Sequence, residues 1–223
     1  GNQGGEDNRD VARMSVLLAG LPKEVPGTTV NRNCSSALEA VNLAAKTILV
    51  GEGDLAIGSG VECMSRAPWS MMKPERLPTT SPPKMWDTTV GWRFNNAKMD
   101  ELYPIVSLGE GAEIIAEEMQ ISRDDQDAYS LESHSRAIAA INDGKFSDEI
   151  IEISVPQRRG DPVVVDTDEH PRYEKSNGTY EMAIDTESLA KLRPAFKKDG
   201  SVTAGNSSGI NDGAAALLLA SRD

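Results

Sequence analysis

The chain has 223 residues, 39% apolar and 26% charged, with a formal net charge of −12. That length buries a sizeable core, and such a composition is ordinary for a globular protein. The acidic balance argues against nucleic acid as a partner, because phosphate backbones are held by clustered Lys and Arg; no apolar run is long enough to cross a bilayer, so no membrane role is expected.

In chain order, Asp7 and Asn8 predict the cap of a helix over roughly 8–20, with Val11, Met14, Ser15 and Leu18 on one face and Gly20 ending it. Residues 25–30 read as a short β-branched strand. Asn31-Arg-Asn-Cys34 follows, then a helix over about 35–50 with a small-residue face of Ala37, Val41, Ala44, Ala45 and Ile48. Residues 54–58 read as a buried strand. Strand, helix, strand predicts a βαβ unit and a sheet with parallel neighbours.

Between Met64 and Val106, Pro68, Pro74, Pro78, Pro82 and Pro83 exclude long regular elements. Trp69, Trp86 and Trp92 point to a folded lid or insertion there. Helices are expected over 110–119 and from a capping box at Ser122–Asp125 to about Asn142, closed by Gly144. Residues 149–155 alternate as a half-buried strand, 166–187 read as polar and irregular, and 186–191 as a helical turn. Asn211-Asp-Gly213 is a turn, and the apolar run 214–220 is expected to be a buried central strand.

The two cysteines, Cys34 and Cys63, are expected to be reduced thiols in a cytoplasmic protein. His134 and His170 stand in no metal-ligand pattern, so no metal site is expected and both read as structural or solvated. Cys34 stands where a strand hands over to a helix N-terminus. Unpaired N–H groups and the positive end of the helix dipole favour a thiolate there and can donate to an oxyanion. From the residue alone, a covalent nucleophile and a small buried packing cysteine both stay open. Cys63 reads as a packing residue. The run Ala204-Gly-Asn-Ser-Ser-Gly209 permits close approach of backbone to a ligand, and equally makes a plain tight turn.

These segments together resemble the thiolase family. Val30-Asn-Arg-Asn-Cys-Ser-Ser-Ala37 resembles the segment that carries the acylated cysteine. Gly60-Val-Glu-Cys-Met-Ser-Arg-Ala-Pro68, Lys191-Leu-Arg-Pro-Ala-Phe196 and the run from Val202 to Ala216 resemble three further signatures, and Gly4–Arg9 with Val11–Met14 resembles the helix before the cysteine. The resemblance covers nearly the whole chain. It implies an α/β fold of αβαβα layers, of which this chain is most of the N-terminal half with its loop-domain insertion. Residues 1–65 would be core, 66–190 the loop domain that covers coenzyme A, and 191–223 the return to the core. It implies Cys34 as nucleophile, with its own N–H as an oxyanion donor. Arg172, Ser188, Phe196, Ala204 and Ser208 would contact CoA, a substrate and not a bound cofactor. It further implies acyl-CoA and CoA as ligands and a homodimer or tetramer.

Departures accompany the resemblance. In Val106-Ser-Leu-Gly109, Ser107 stands where many biosynthetic members carry histidine, and the stretch 173–184 is longer than usual. Asp87-Thr-Thr-Val-Gly-Trp-Arg-Phe94 resembles the branch that cleaves 3-oxoadipyl-CoA. The family's Gly-His-Pro histidine, second catalytic cysteine and Asn-Glu segment are not in this sequence, and both ends read as cuts through a larger protein. The expected activity is thiolytic cleavage of a 3-ketoacyl-CoA or the reverse condensation. A separate chain carrying the C-terminal half is a possible partner. The rival expectations are a ketoacyl-synthase-like condensing enzyme and a non-catalytic CoA-binding or interaction subunit.

Overall fold

A helix lies directly on a strand at the centre of the first half of this protein, and two glycines make that approach possible. The computed structural model describes residues 10–74 and 82–222. Contacts group them into two compact units: the chain up to Ile105 together with Ile210 onward, and Val106–Gly209.

In the first unit, α1 (Val11–Leu18) is capped by Asp10, whose carboxylate accepts the Arg13 N–H at 3.2 Å. The expected caps Asp7 and Asn8 lie outside the described residues. Gly20 closes the helix at φ +77, as its position predicts. The expected strand over 25–30 does not form. Side chains of α1 hold that segment instead: the Arg13 guanidinium donates to the carbonyls of Lys23 and Val25, and Thr29 Oγ1 accepts the Ala12 N–H and donates to Asp10. Backbone groups satisfied this way need no neighbouring strand.

Helix α2 (Ser36–Leu49) packs on β1 (Leu55–Glu62), which is longer than the sequence suggested. A Cβ at Gly58 would come within 2.7 Å of the Val41 Cα, and one at Gly60 within 2.6 Å of the Ala37 Cβ. Small residues on α2 and none on these two strand positions therefore meet face to face. Gly58→Ala is expected to destabilise the protein by about 1–3 kcal/mol through overpacking, because the obstructing atom is helix backbone. Urea unfolding of the variant measures it.

β1 pairs antiparallel with β8 (Gly213–Ala220), Leu55 opposite Ala220 and Glu62 opposite Gly213. The parallel neighbours expected from the βαβ pattern are absent: among the described residues every strand pair is antiparallel, in two-stranded sheets. The run 214–220 is the expected strand, but it is not buried. Leu218, opposite Ile57, is 67% exposed, and Leu55, Ile57 and Leu217 are exposed as well. An unbroken apolar run signals a strand whose faces can be covered, and among the described residues nothing covers the face that bears Ile57 and Leu218.

The proline-rich stretch forms only short elements: a 3₁₀ turn (Met64–Arg66), the pair β2 (Trp69–Met71) and β3 (Met85–Asp87), and α3 (Ala97–Leu102). Trp86 packs edge-on against Phe94 at 5.0 Å, whereas Trp69 and Trp92 are exposed. Pro78 lies outside the described residues.

The second unit holds α4 (Leu108–Glu118) and α5 (Arg123–Asn142), each opened by a capping box, Ser107 with Glu110 and Ser122 with Asp125. The second box stands where the sequence places it. Strand β4 is shorter than expected (Ile153–Val155) and pairs with β5 (Val163–Val165). Residues 166–187 are not irregular. They contain the hairpin β6 (Tyr173–Ser176) and β7 (Thr179–Met182), turned by Asn177 and Gly178, both at positive φ. Asn-Gly between strands is a strong hairpin signal that the polar composition hid. The Asn142 side chain holds this hairpin to α5, donating to the Tyr180 carbonyl at 2.8 Å and accepting its N–H at 2.9 Å. Helix α6 (Thr186–Ala190) is the expected turn.

Candidate active site

Cys34 precedes the N-cap residue, Ser35, of α2. The loop before it is shaped by its own side chains. Asn31 Oδ1 accepts the Asn33 N–H at 2.9 Å, and Asn33 takes a left-handed φ of +52. Ser36 Oγ accepts the Arg32 N–H and donates to the Asn33 carbonyl, both at 2.7 Å. Asparagine and serine are the residues that make such local turns. The product is a tight loop from which Cys34 emerges as an exposed thiol outside any disulfide. Within these residues the thiol is not packed into a core.

The amides around the thiol are partly spoken for. Ser35 N–H donates to the Arg32 carbonyl at 3.2 Å and Ser36 N–H to that of Asn33 at 3.1 Å, so these two do not serve a ligand. Ser35 makes no side-chain capping bond, so that side chain leaves the remaining first-turn N–H groups open. The Arg32 guanidinium is committed to Glu39 at 2.7 Å and adds little net charge beside the sulfur.

Cys63 is half-buried, with its sulfur 3.8 Å from Asp212 Oδ2. Asp212 also accepts both the hydroxyl and the N–H of Ser65, and those bonds hold its carboxyl below the usual aspartate range. This cluster ties the 3₁₀ turn to the start of β8, which suits a packing role for Cys63.

The other five candidates all lie in the second unit and are described there by themselves. Arg172 is exposed, and its backbone N–H donates to His134 Nδ1 at 3.3 Å. Burial foremost, then the His170 and Arg172 charges, hold the His134 imidazole below its ordinary value. Ser188 is engaged in the capping box of α6 with Asp185, donating from its hydroxyl to the Asp185 carbonyl at 2.8 Å. Phe196 lies on the first turn of α4: a Cβ at Gly109 would meet its ring at 2.3 Å. Ala204 and Ser208 are exposed on a loop anchored by the buried Val202 and Thr203. Ser107, noted as a departure, is the N-cap of α4.

Sequence reasoning passed over the residues that hold that loop. Glu113, 4% exposed, accepts the N–H groups of Ser201 and Val202 at 2.8 Å each and the Ser201 hydroxyl at 3.1 Å. Burial by itself raises the Glu113 carboxyl. The hydrogen bonds from Ser201 and Val202, with the Lys197 charge, outweigh it and hold the group below the usual glutamate value. Asp127, 5% exposed, pairs with Arg123 at 2.7 Å and accepts from Asn206 Nδ2 at 2.9 Å. The available signal was Glu113 standing on the same helix as an apolar face; charged residues are almost never buried unless partnered. A shallow groove of the same unit, lined by Asp124, Leu131, Met182 and Ala190, contains none of the six candidates. Among the described residues no group of three or more His, Cys, Asp or Glu is placed to hold a metal, and no helix is long and apolar enough to cross a membrane.

Comparison with known proteins points one way. The family described as thiolase, N-terminal domain, matches residues 2–223. A beta-ketoadipyl-CoA thiolase of Acinetobacter baylyi is 52% identical over 220 residues, covering 99% of this chain and 52% of that protein. A protein of the same name from Pseudomonas putida is 47% identical, covering 100% of this chain and 53% of that protein. Among solved structures, an acetyl-CoA acetyltransferase from Bacillus anthracis superposes with a TM-score of 0.76 at 36% identity, over 95% of this chain and 50% of its own. One from Syntrophomonas wolfei gives 0.78 at 33%, over 95% and 49%. The chain spans about half the length of the curated relatives it matches.

Proposed function

This chain belongs to the thiolase family, as an N-terminal thiolase domain of α/β fold, and from that premise we propose that it carries the nucleophile of an acyl-CoA acyltransferase. Cys34 is acylated in the course of thiolysis. Its thiolate adds to the C3 keto carbon of a 3-ketoacyl-CoA. The C2–C3 bond then breaks, its electron pair going to C2, which takes a proton to give acetyl-CoA. The acyl group stays on sulfur as a thioester until the thiol of free CoA displaces it, returning the proton and the cysteine. The observation that carries this reading is the exposed thiol outside any disulfide at the head of α2, inside the segment that matches the family.

CoA is the proposed ligand of Arg172, Ser188, Phe196, Ala204 and Ser208, with 66–190 as its cover between core segments 1–65 and 191–223. Arg172 supplies a cation for phosphate or a plane for adenine. The names of the Acinetobacter and Pseudomonas relatives, with the Asp87–Phe94 segment, favour 3-oxoadipyl-CoA as the first substrate to test. The proposed setting is the cytoplasm, where both thiols stay reduced. The proposed assembly is a homodimer or tetramer, and the exposed apolar face of β1 and β8 favours further protein against it. The histidine and second cysteine that the family uses for proton transfer are not among these 223 residues, so these residues alone are not expected to turn over.

Iodoacetamide tests the nucleophile directly. Peptide mass mapping is expected to find Cys34 alkylated well ahead of the half-buried Cys63, and CoA or an acyl-CoA to slow only the reaction at Cys34. Equal labelling of both cysteines, indifferent to CoA, contradicts the assignment.

A further inference from the structure

The loop 201–208 is held to the rest of its unit by an unusual density of buried polar bonds, far beyond what a solvent-exposed turn requires. Thr203, wholly buried, donates its N–H to Asn206 Oδ1 at 2.7 Å and accepts Gly205 N–H at its hydroxyl. Asn206 Nδ2 donates to Ser201 O at 3.1 Å and to Asp127 Oδ1 at 2.9 Å. Ser130 Oγ donates to the Gly205 carbonyl at 2.6 Å, and Gln126 Nε2 to Ser201 Oγ at 2.9 Å. Glu113 gathers Ser201 and Val202 from the other side.

The same network reaches the other candidate contacts. Arg123, the cation facing Asp127, donates to the carbonyls of Leu189 and Leu192 at 2.7 and 3.1 Å, beside Ser188. Ala195 N–H donates to the Val202 carbonyl at 2.9 Å, beside Phe196. A part-buried network of this density favours one arrangement, because an alternative leaves polar groups such as those of Val202 and Thr203 without partners away from water.

We infer that Glu113, acting through Ser201 and Val202, and Asp127, acting through Asn206, are positioning residues that set the backbone of Ala204–Ser208 for the thioester-bearing arm of the coenzyme. The inference rests on the reading of Ala204 and Ser208 as CoA contacts. Neither carboxylate touches the ligand; they fix a surface on which a narrow chain can lie without the loop having to be ordered at each binding event.

Asn206→Asp tests it in the full-length protein that carries this chain, with CoA as titrant in a calorimeter at pH 7.5 and 5.5. At pH 7.5 the substitution sets one carboxylate against another, with Arg123 the cation facing them and Glu113 and Lys197 the charged groups around the neighbouring Ser201. The expected result is a Kd for CoA raised about tenfold or more at pH 7.5 and by less at pH 5.5, because each of two facing carboxylates disfavours ionisation of the other. The swap Asp127→Asn with Asn206→Asp restores a donor facing an acceptor at that contact, though not at the Ser201 carbonyl, and is expected to recover part of the affinity at both values. Ser130→Ala, which removes one strap without adding charge, is expected to weaken binding about two- to fivefold and serves if the first variant does not fold.

Unchanged affinity in Asn206→Asp, or in a folded Ser130→Ala, overturns the inference and leaves the CoA reading standing. Loss at both pH values with no recovery in the swap also overturns it, because that is general damage to the fold. Failure of the parent protein to bind CoA removes the CoA reading and this inference with it.

Discussion

Replacing Cys34 by alanine is expected to lower thiolysis of 3-oxoadipyl-CoA by at least about 10⁴-fold in the protein that carries this chain, with no acyl adduct in its mass spectrum. The size follows from the role. Without the sulfur there is no covalent intermediate, and a direct attack by CoA would have to meet the whole barrier in one step. Stability should change little, because Cys34 is exposed and its loop is held by Asn31, Asn33 and Ser36. Cys34→Ser keeps the shape of the side chain but offers a hydroxyl, a far weaker nucleophile near neutral pH, and is expected to fail almost as completely. A Cys34→Ala protein that retained more than a few per cent of its turnover would end the covalent reading.

The second large effect falls on stability. Glu113→Ala is expected to cost about 3 kcal/mol in urea unfolding, since it removes the acceptor of two backbone N–H groups, one of them on Val202 in the core. The pH dependence has a definite sign. The Glu113 carboxyl lies below its ordinary value in the folded protein. Its contribution is therefore fully present above the unfolded glutamate pKa of about 4.3 and is lost as pH falls through the lower folded value. Glu113→Gln keeps one oxygen acceptor and cannot ionise, so its unfolding curve should lose part of that acid dependence. A parent and a glutamine variant with parallel acid limbs would show that Glu113 does not carry it.

Several elements were legible in the sequence for local reasons. The capping box at Ser122–Asp125 and the small-residue face of α2 depend on neighbours a few positions away, and both stand where the pattern places them. The helix end at Gly20 is equally local. The hairpin of β6 and β7 was legible too, in Asn177-Gly178, but the polar residues around it drew the reading toward irregular structure.

Other features depended on partners distant in the chain. Residues 25–30 have the composition of a strand, yet they are tied to α1 instead: Arg13 donates to the Val25 carbonyl, and Thr29 Oγ1 accepts the Ala12 N–H. The run 214–220 has the composition of a buried strand, yet the described residues supply no cover for it, and most of it is exposed.

The order of local signals along the chain, with the motifs around Cys34, was enough by itself to point to the family. Helix caps, turns and the cysteine segment are set by residues within one turn of each other. Only the tertiary structure decided which way β1 and β8 run, which amides near Cys34 are already bonded, and that Glu113 and Asp127 are buried beneath the loop of Ala204 and Ser208. A buried charge is tolerated only where its partners converge on it, and the partners of Glu113 lie some ninety residues away, a separation no local pattern records.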